Sequence, residues 1–118
     1  MLILGSMPGA ASLQAGEYYA HPRNAFWNIM AELCDANGDY VTRCNRLVEH
    51  RVALWDVLQS SVRPGSLDAD IDPASARPND FAGFLTTHPH IRRIGFNCRK
   101  AAELFGRLVA PGLDIVPD

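Results

Sequence analysis

Residues 1–27 read MLILGSMPGAASLQAGEYYAHPRNAFW: an apolar run entering Gly5, a turn through Pro8 and Gly9, a polar and aromatic loop, and the start of a helix. MLIL at 1–4 has the character of a short buried strand. From Asn24 onward, Phe26, Ile29, Met30 and Leu33 recur at i, i+3, i+4 and i+7, the apolar face of a helix that Asn37-Gly38 is expected to stop. A strand that leads through a loop into an amphipathic helix is half of a parallel crossover. The rest of the chain repeats the pattern.

Asp39 is positioned to cap a second helix carrying Val41, Cys44, Leu47 and Val48. VALWDVL at 52–58 is apolar apart from Asp56 and suits a buried strand. A long loop with turn signals at Arg63-Pro64-Gly65-Ser66, Asp72-Pro73 and Pro78 follows. Asn79 is expected to cap a short helix with Phe81, Phe84 and Leu85, ended by His88-Pro89. IRRIGF at 91–96 suits a third strand, Asn97 opens a helix with Ala101, Leu104, Phe105 and Leu108 on one face, and LDIV at 113–116 suits a fourth strand after Pro111-Gly112. Strands alternating with helices predict an α/β fold, a three-layer α/β/α sandwich on a four-stranded parallel sheet, because right-handed crossovers put helices on both faces.

With 118 residues the chain suits a single domain spanning 1–118. Its net charge of −2 means that contact with nucleic acid must come from a local basic patch rather than a globally basic surface. Cys34, Cys44 and Cys98 match no zinc or disulfide spacing and are expected to be buried free thiols in a reducing compartment. His50, His88 and His90 show no ligand spacing, so no metal or other cofactor is expected. No apolar stretch approaches the ~18 residues of a membrane span, and a cytoplasmic monomer with no membrane partner is the expectation.

In a parallel sheet ligands bind beyond the carboxyl ends of the strands. Ser6 to Asn24, Gln59 to Ser66 and Asn97 to Lys100 gather there. A compact domain gains little from keeping Tyr18, Tyr19, His21, Arg23 and Asn24 on one irregular loop unless they bind something. The bland alternatives are concrete: Asn24 and Asn97 stand where helix caps stand, His21 before Pro22 suits a turn, Phe26 and Trp27 suit a core, and Asp56 suits a buried structural acceptor.

The runs LILGSMPG, YYAHPRNAFW, ALWDVL with RPGSLD, and IGFNCRKAAELF together resemble the uracil-DNA glycosylase superfamily, most closely its hypoxanthine (deoxyinosine) DNA glycosylase branch. The Gly-x-x-Pro-Gly of Gly5 to Gly9 is weak alone and strong when paired with YYAHPRN and FNCRKA at these distances. The resemblance implies a base-excision repair enzyme that hydrolyses the N-glycosidic bond of a deaminated base, hypoxanthine or uracil, after flipping it out of DNA. It puts the catalytic burden on Asn24, because Ser6 replaces the Asp or Asn with which relatives position the attacking water. Gly5, Met7, Pro8, Gly9, Tyr19, His21, Phe26 and Asn97 are then the expected base-binding residues, with Tyr19 and Phe26 stacking and Asn97 reading the base edge. Arg23, Arg63, Arg99 and Lys100 are the expected DNA phosphate contacts.

An amide can orient water and donate to a base, yet it cannot take a proton as a carboxylate does, so the leaving group must be labile or well activated. Relatives carry a further Ser/Pro-rich loop ending in Ala-Asn after the fourth strand. This chain ends at Val116-Pro117-Asp118, so the resemblance implies a domain lacking its C-terminal part. A catalytically impaired DNA-binding remnant and a nucleotide-binding α/β module using the Gly5–Gly9 turn as an anion cradle are the other readings. The latter lacks both GxGxxG and a Walker lysine.

Overall fold

The computed structural model describes residues 1–60 and 71–113. Three parallel strands form the main sheet: β1 (Leu2–Gly5) lies between β2 (Ala53–Asp56) and β5 (Ile94–Phe96). The register sets Gly5 beside Asp56 and Leu4 beside Trp55 and Phe96. The fold is therefore α/β with a parallel sheet, and three strands are found among the described residues. The expected fourth strand falls largely on residues 114–116, which lie outside them, as does Arg63.

Among the described residues five α-helices accompany the strands: α1 (Ala10–Ala15), α2 (Phe26–Cys34), α3 (Tyr40–Glu49), α4 (Phe81–Thr87) and α5 (Arg99–Leu108). Helix α1 was not expected, since AASLQA presents no apolar face and Leu13 is exposed. Alanines of high helix propensity between Gly9 and the left-handed Gly16 suffice for its short span. The expected strand over 52–58 is split. After Asp56 the chain passes Val57 and enters β3 (Leu58–Ser60), which pairs antiparallel with the short β4 (Arg77–Pro78).

Alternate strand residues enter two cores, as the two-residue side-chain period of a strand requires. Leu2 and Leu4 join Phe81 of α4 and Ala101, Leu104 and Phe105 of α5, with Ala53, Trp55 and Ile94 packed against them. Ile3 and Leu54 pack instead against Phe26, Trp27 and Met30 of α2 and Leu47 of α3. The face expected for α3 is rotated: Leu47 is buried and Cys44 half-buried, while Val41 and Val48 are exposed.

Helix starts also depart by single residues. Asp39 caps α3 as expected, its Oδ1 accepting from the Thr42 N–H at 2.8 Å. For α4 the cap is Asp80 rather than Asn79, and for α5 it is Cys98, whose Sγ accepts from the Ala101 N–H, rather than Asn97. Asn79 donates instead to the Asp56 carbonyl at 2.8 Å, tying the end of β2 to the entrance of α4. The three cysteines form no disulfide, and of them only Cys34 is fully buried. No helix among the described residues is long and apolar enough to cross a membrane.

Candidate functional site

A cavity of about 700 Å³ opens where β1, β2 and β5 end. That is the place at which neighbouring parallel strands splay their connections apart, and its volume suits a small organic ligand. Gly5, Ser6, Met7, Pro8 and Gly9 line it from the turn after β1. Tyr19, His21 and Asn24 line it from the following loop, and Asn97 from the end of β5. Nine residues far apart in the chain and singled out from the sequence thus meet at one opening.

Other expected residues lie elsewhere. Phe26 does not line this cavity; it is buried in the second core, its ring centroid 4.1 Å from that of Tyr19. An apolar residue at the first turn of α2 is drawn under the sheet, so Tyr19 stands between it and the opening. Arg23, Arg99 and Lys100 do not line the cavity either. Arg23 is exposed on the loop, and Arg99 and Lys100 begin α5 directly after the cavity-lining Cys98.

Asn24 stands just before the Ala25 N-cap of α2 and at the cavity together. Its Oδ1 accepts from the Phe26 N–H at 2.9 Å, a two-residue turn that starts α2, while the residue lines the cavity. One lone pair of Oδ1 and both hydrogens of Nδ2 exceed what that turn uses. The His21 Nδ1 accepts from the Arg23 N–H at 3.1 Å, which in a neutral ring puts the proton on Nε2. Ser6 is buried, and its carbonyl accepts from the Leu58 N–H at 3.0 Å, so its backbone is spent on holding β3 to the end of β1.

Asp56 was expected to be a structural acceptor, yet it lines the cavity too. The signal lies in register rather than in local sequence. Pairing with β1 sets Asp56 opposite Gly5, where a Cβ on the glycine would come within 2.8 Å of Asp56 Oδ1 and 3.3 Å of Tyr19 Oη. Only hydrogen on the Gly5 Cα permits that approach. Burial, then the charge of Asp56, hold the Tyr19 phenol well above its ordinary pKa, with Cys98 and Tyr18 adding smaller pushes. The Tyr18 phenol is raised by the same two causes in the same order, with Tyr40 adding to them. Both rings are therefore neutral near pH 7. No three His, Cys, Asp or Glu side chains are grouped to hold a metal among the described residues.

No protein-family model matches the chain. It is 37% identical over 106 residues to the hypoxanthine DNA glycosylase of Methanosarcina acetivorans, an alignment covering 87% of this chain and 66% of that relative. It is 31% identical over 117 residues to the hypoxanthine DNA glycosylase of Methanosarcina barkeri, covering 97% of this chain and 73% of that relative.

Proposed function

Since the chain belongs to the hypoxanthine DNA glycosylase family, we propose that it hydrolyses the N-glycosidic bond of deoxyinosine in DNA. The observation that carries this reading is Asn24, whose carboxamide starts α2 and at the same time faces the cavity at the strand ends. In the proposed reaction an Asn24-held water forms a bond to C1′ as the bond from C1′ to N9 breaks. The water loses one proton to solvent, the purine takes one from solvent onto its imidazole ring as the bond breaks, and it leaves as neutral hypoxanthine. Because the amide takes up no proton itself, the barrier must fall by stabilising the cationic sugar and the departing base.

The cavity supplies groups of suitable kind. Asp56 accepts from the N1–H that hypoxanthine carries and adenine lacks, which favours the deaminated base over its parent. Asn97 and the His21 Nε2–H offer further edge contacts, and Tyr19 a stacking face. The base reaches these groups only outside the stack; eversion costs a few kcal/mol, least at a mispaired base. Arg23, Arg99 and Lys100 meet the flanking phosphates. The two cores then correspond to the two faces of a three-layer α/β/α sandwich of uracil-DNA glycosylase type.

The test is a duplex with one deoxyinosine, alongside duplexes with deoxyuridine and with the undamaged base, treated with alkali to break abasic sites. Free hypoxanthine and alkali-labile strands from the deoxyinosine duplex are expected. Binding of that duplex without release of base would overturn the activity and leave a DNA-binding protein.

A further inference from the structure

The loop that carries Tyr19, His21 and Asn24 is held by side chains from outside it. The Trp27 Nε1–H of α2 donates to the Tyr18 carbonyl at 3.0 Å, and the Tyr18 N–H donates to the Tyr40 hydroxyl of α3 at 3.1 Å. Both backbone polar groups of one loop residue are thus satisfied by ring side chains from two different helices. On the far side of Tyr19, the Ala20 N–H donates to Ser12 Oγ of α1 at 3.1 Å. Between these ties Tyr19 adopts φ 54°, a left-handed conformation that an aromatic residue enters only when its surroundings impose it.

From this geometry we infer that Trp27 and Tyr40 are positioning residues: a clamp on the backbone of Tyr18 that sets where Tyr19 and the following His21 and Asn24 stand in the cavity. Core packing alone accounts for the burial of the Trp27 ring but not for the aim of its N–H at a loop carbonyl. The Arg43 guanidinium braces the pair, its central carbon 4.7 Å from the Trp27 ring centroid and 5.9 Å from that of Tyr40. Burial raises the pKa of the Tyr40 phenol and Cys44 adds to the rise, outweighing the opposing pull of the Tyr18 N–H, so a neutral hydroxyl accepts that N–H.

Because the clamp's effect on catalysis rests on the glycosylase reading, its test has two arms. Tyr40→Phe keeps the ring and removes only the acceptor; Trp27→Phe removes only the donor and part of the ring; Val48→Ser, on the exposed face of α3, is the control. In single-turnover excision of deoxyinosine, Tyr40→Phe is expected to lower the rate at saturating protein about tenfold while the half-saturating concentration stays within about twofold, as misplacement without lost binding requires. In the double variant the loss should be smaller than the product of the single losses. In the second arm, amide hydrogen exchange at Tyr18 should quicken in Tyr40→Phe and be unchanged in Val48→Ser. Excision by the wild type with no slowing in Tyr40→Phe would overturn the clamp and leave the activity standing. A wild type that excises nothing would overturn the activity, and the clamp would then fall or stand on the Tyr18 amide alone: unchanged protection in Tyr40→Phe removes it.

Discussion

The connection from β1 to α2 runs from Ser6 to Ala25 by way of α1, whereas the one from the neighbouring β5 to α5 is only Asn97 and Cys98. Both leave the sheet at the same end, and both line the cavity. In the short one nearly everything goes into turning the chain: the Asn97 N–H donates to the Leu4 carbonyl at 2.9 Å and Cys98 caps the helix. In the long one Trp27 and Tyr40 from outside hold the backbone of Tyr18, which leaves the ring of Tyr19 and part of the polar groups of His21 and Asn24 to face the cavity. A connection held in part from outside is a better carrier of chemistry than one whose few residues are all spent on turning the chain.

The sharpest break in the long connection is Asn24→Ala. Loss of the amide is expected to lower deoxyinosine excision about 10²- to 10³-fold in single-turnover assays, as removal of one pre-placed polar group does elsewhere. The same substitution costs about 1 kcal/mol in chemical denaturation through the lost helix start. A large stability loss with an unchanged rate would reduce Asn24 to a cap.

Next comes Gly5→Ala, which acts where the two connections meet the sheet. The added methyl would meet Asp56 Oδ1 at 2.8 Å, so urea denaturation should register a loss of about 1–3 kcal/mol and the cavity should deform. Unaltered stability would mean that Asp56 moves aside freely, and its assignment as a fixed acceptor for the base would fail.

Alkali separates the two connections by a smaller effect. The raised phenols lie on or against the long one: Tyr18, Tyr19 and Tyr40 stay protonated in the folded chain at pH values where the unfolded chain has released those protons. Their contribution is fully present below the ordinary value of 10.0 and is lost as pH rises from there toward the folded values. Stability should decline by up to about 1.4 kcal/mol per pH unit for the Tyr19 proton and by less for the more exposed Tyr18 and Tyr40, and Tyr19→Phe should flatten the decline. A pH-independent stability between about 10 and 11 would contradict the burial of these rings.

The slightest change is expected in the short connection. Cys98→Ser exchanges a weak sulfur acceptor for a hydroxyl at the cap of α5 and should raise the unfolding midpoint by the equivalent of about 0.5 kcal/mol or less. A loss exceeding that would show that the thiol packs against the first core more than it caps.

Much of this arrangement is legible in the residues. The apolar runs at 1–4, 52–58 and 91–96 locate the three parallel strands, and the periodicities beginning at Phe26, Asp39 and Asn97 mark α2, α3 and α5. Local pattern fails where two adjacent residues can both do a job: Asn79 and Asp80, or Asn97 and Cys98, compete for a cap, and tertiary partners such as the Asp56 carbonyl decide the winner. It also fails for α1, which has no apolar face to read, and for the rotation of α3 that leaves Val41 and Val48 in water. Most of the loop's cavity residues were legible as a motif. Asp56 and Tyr40 were not, because one reaches the cavity through strand register and the other through the packing of α3 against α2.

Nuclear magnetic resonance of the ¹⁵N-labelled protein on a duplex bearing 2′-fluoro-2′-deoxyinosine, whose fluorine slows cleavage by destabilising the cationic sugar, probes the occupied cavity directly. Addition of this duplex should shift the side-chain amide of Asn24 and the backbone amides of Gly5, Tyr19 and Asp56, while a duplex with the undamaged base leaves them in place. Shifts confined to the opposite end of the sheet, around Arg51 and Arg93 beside the first residues of β1, would contradict the assignment.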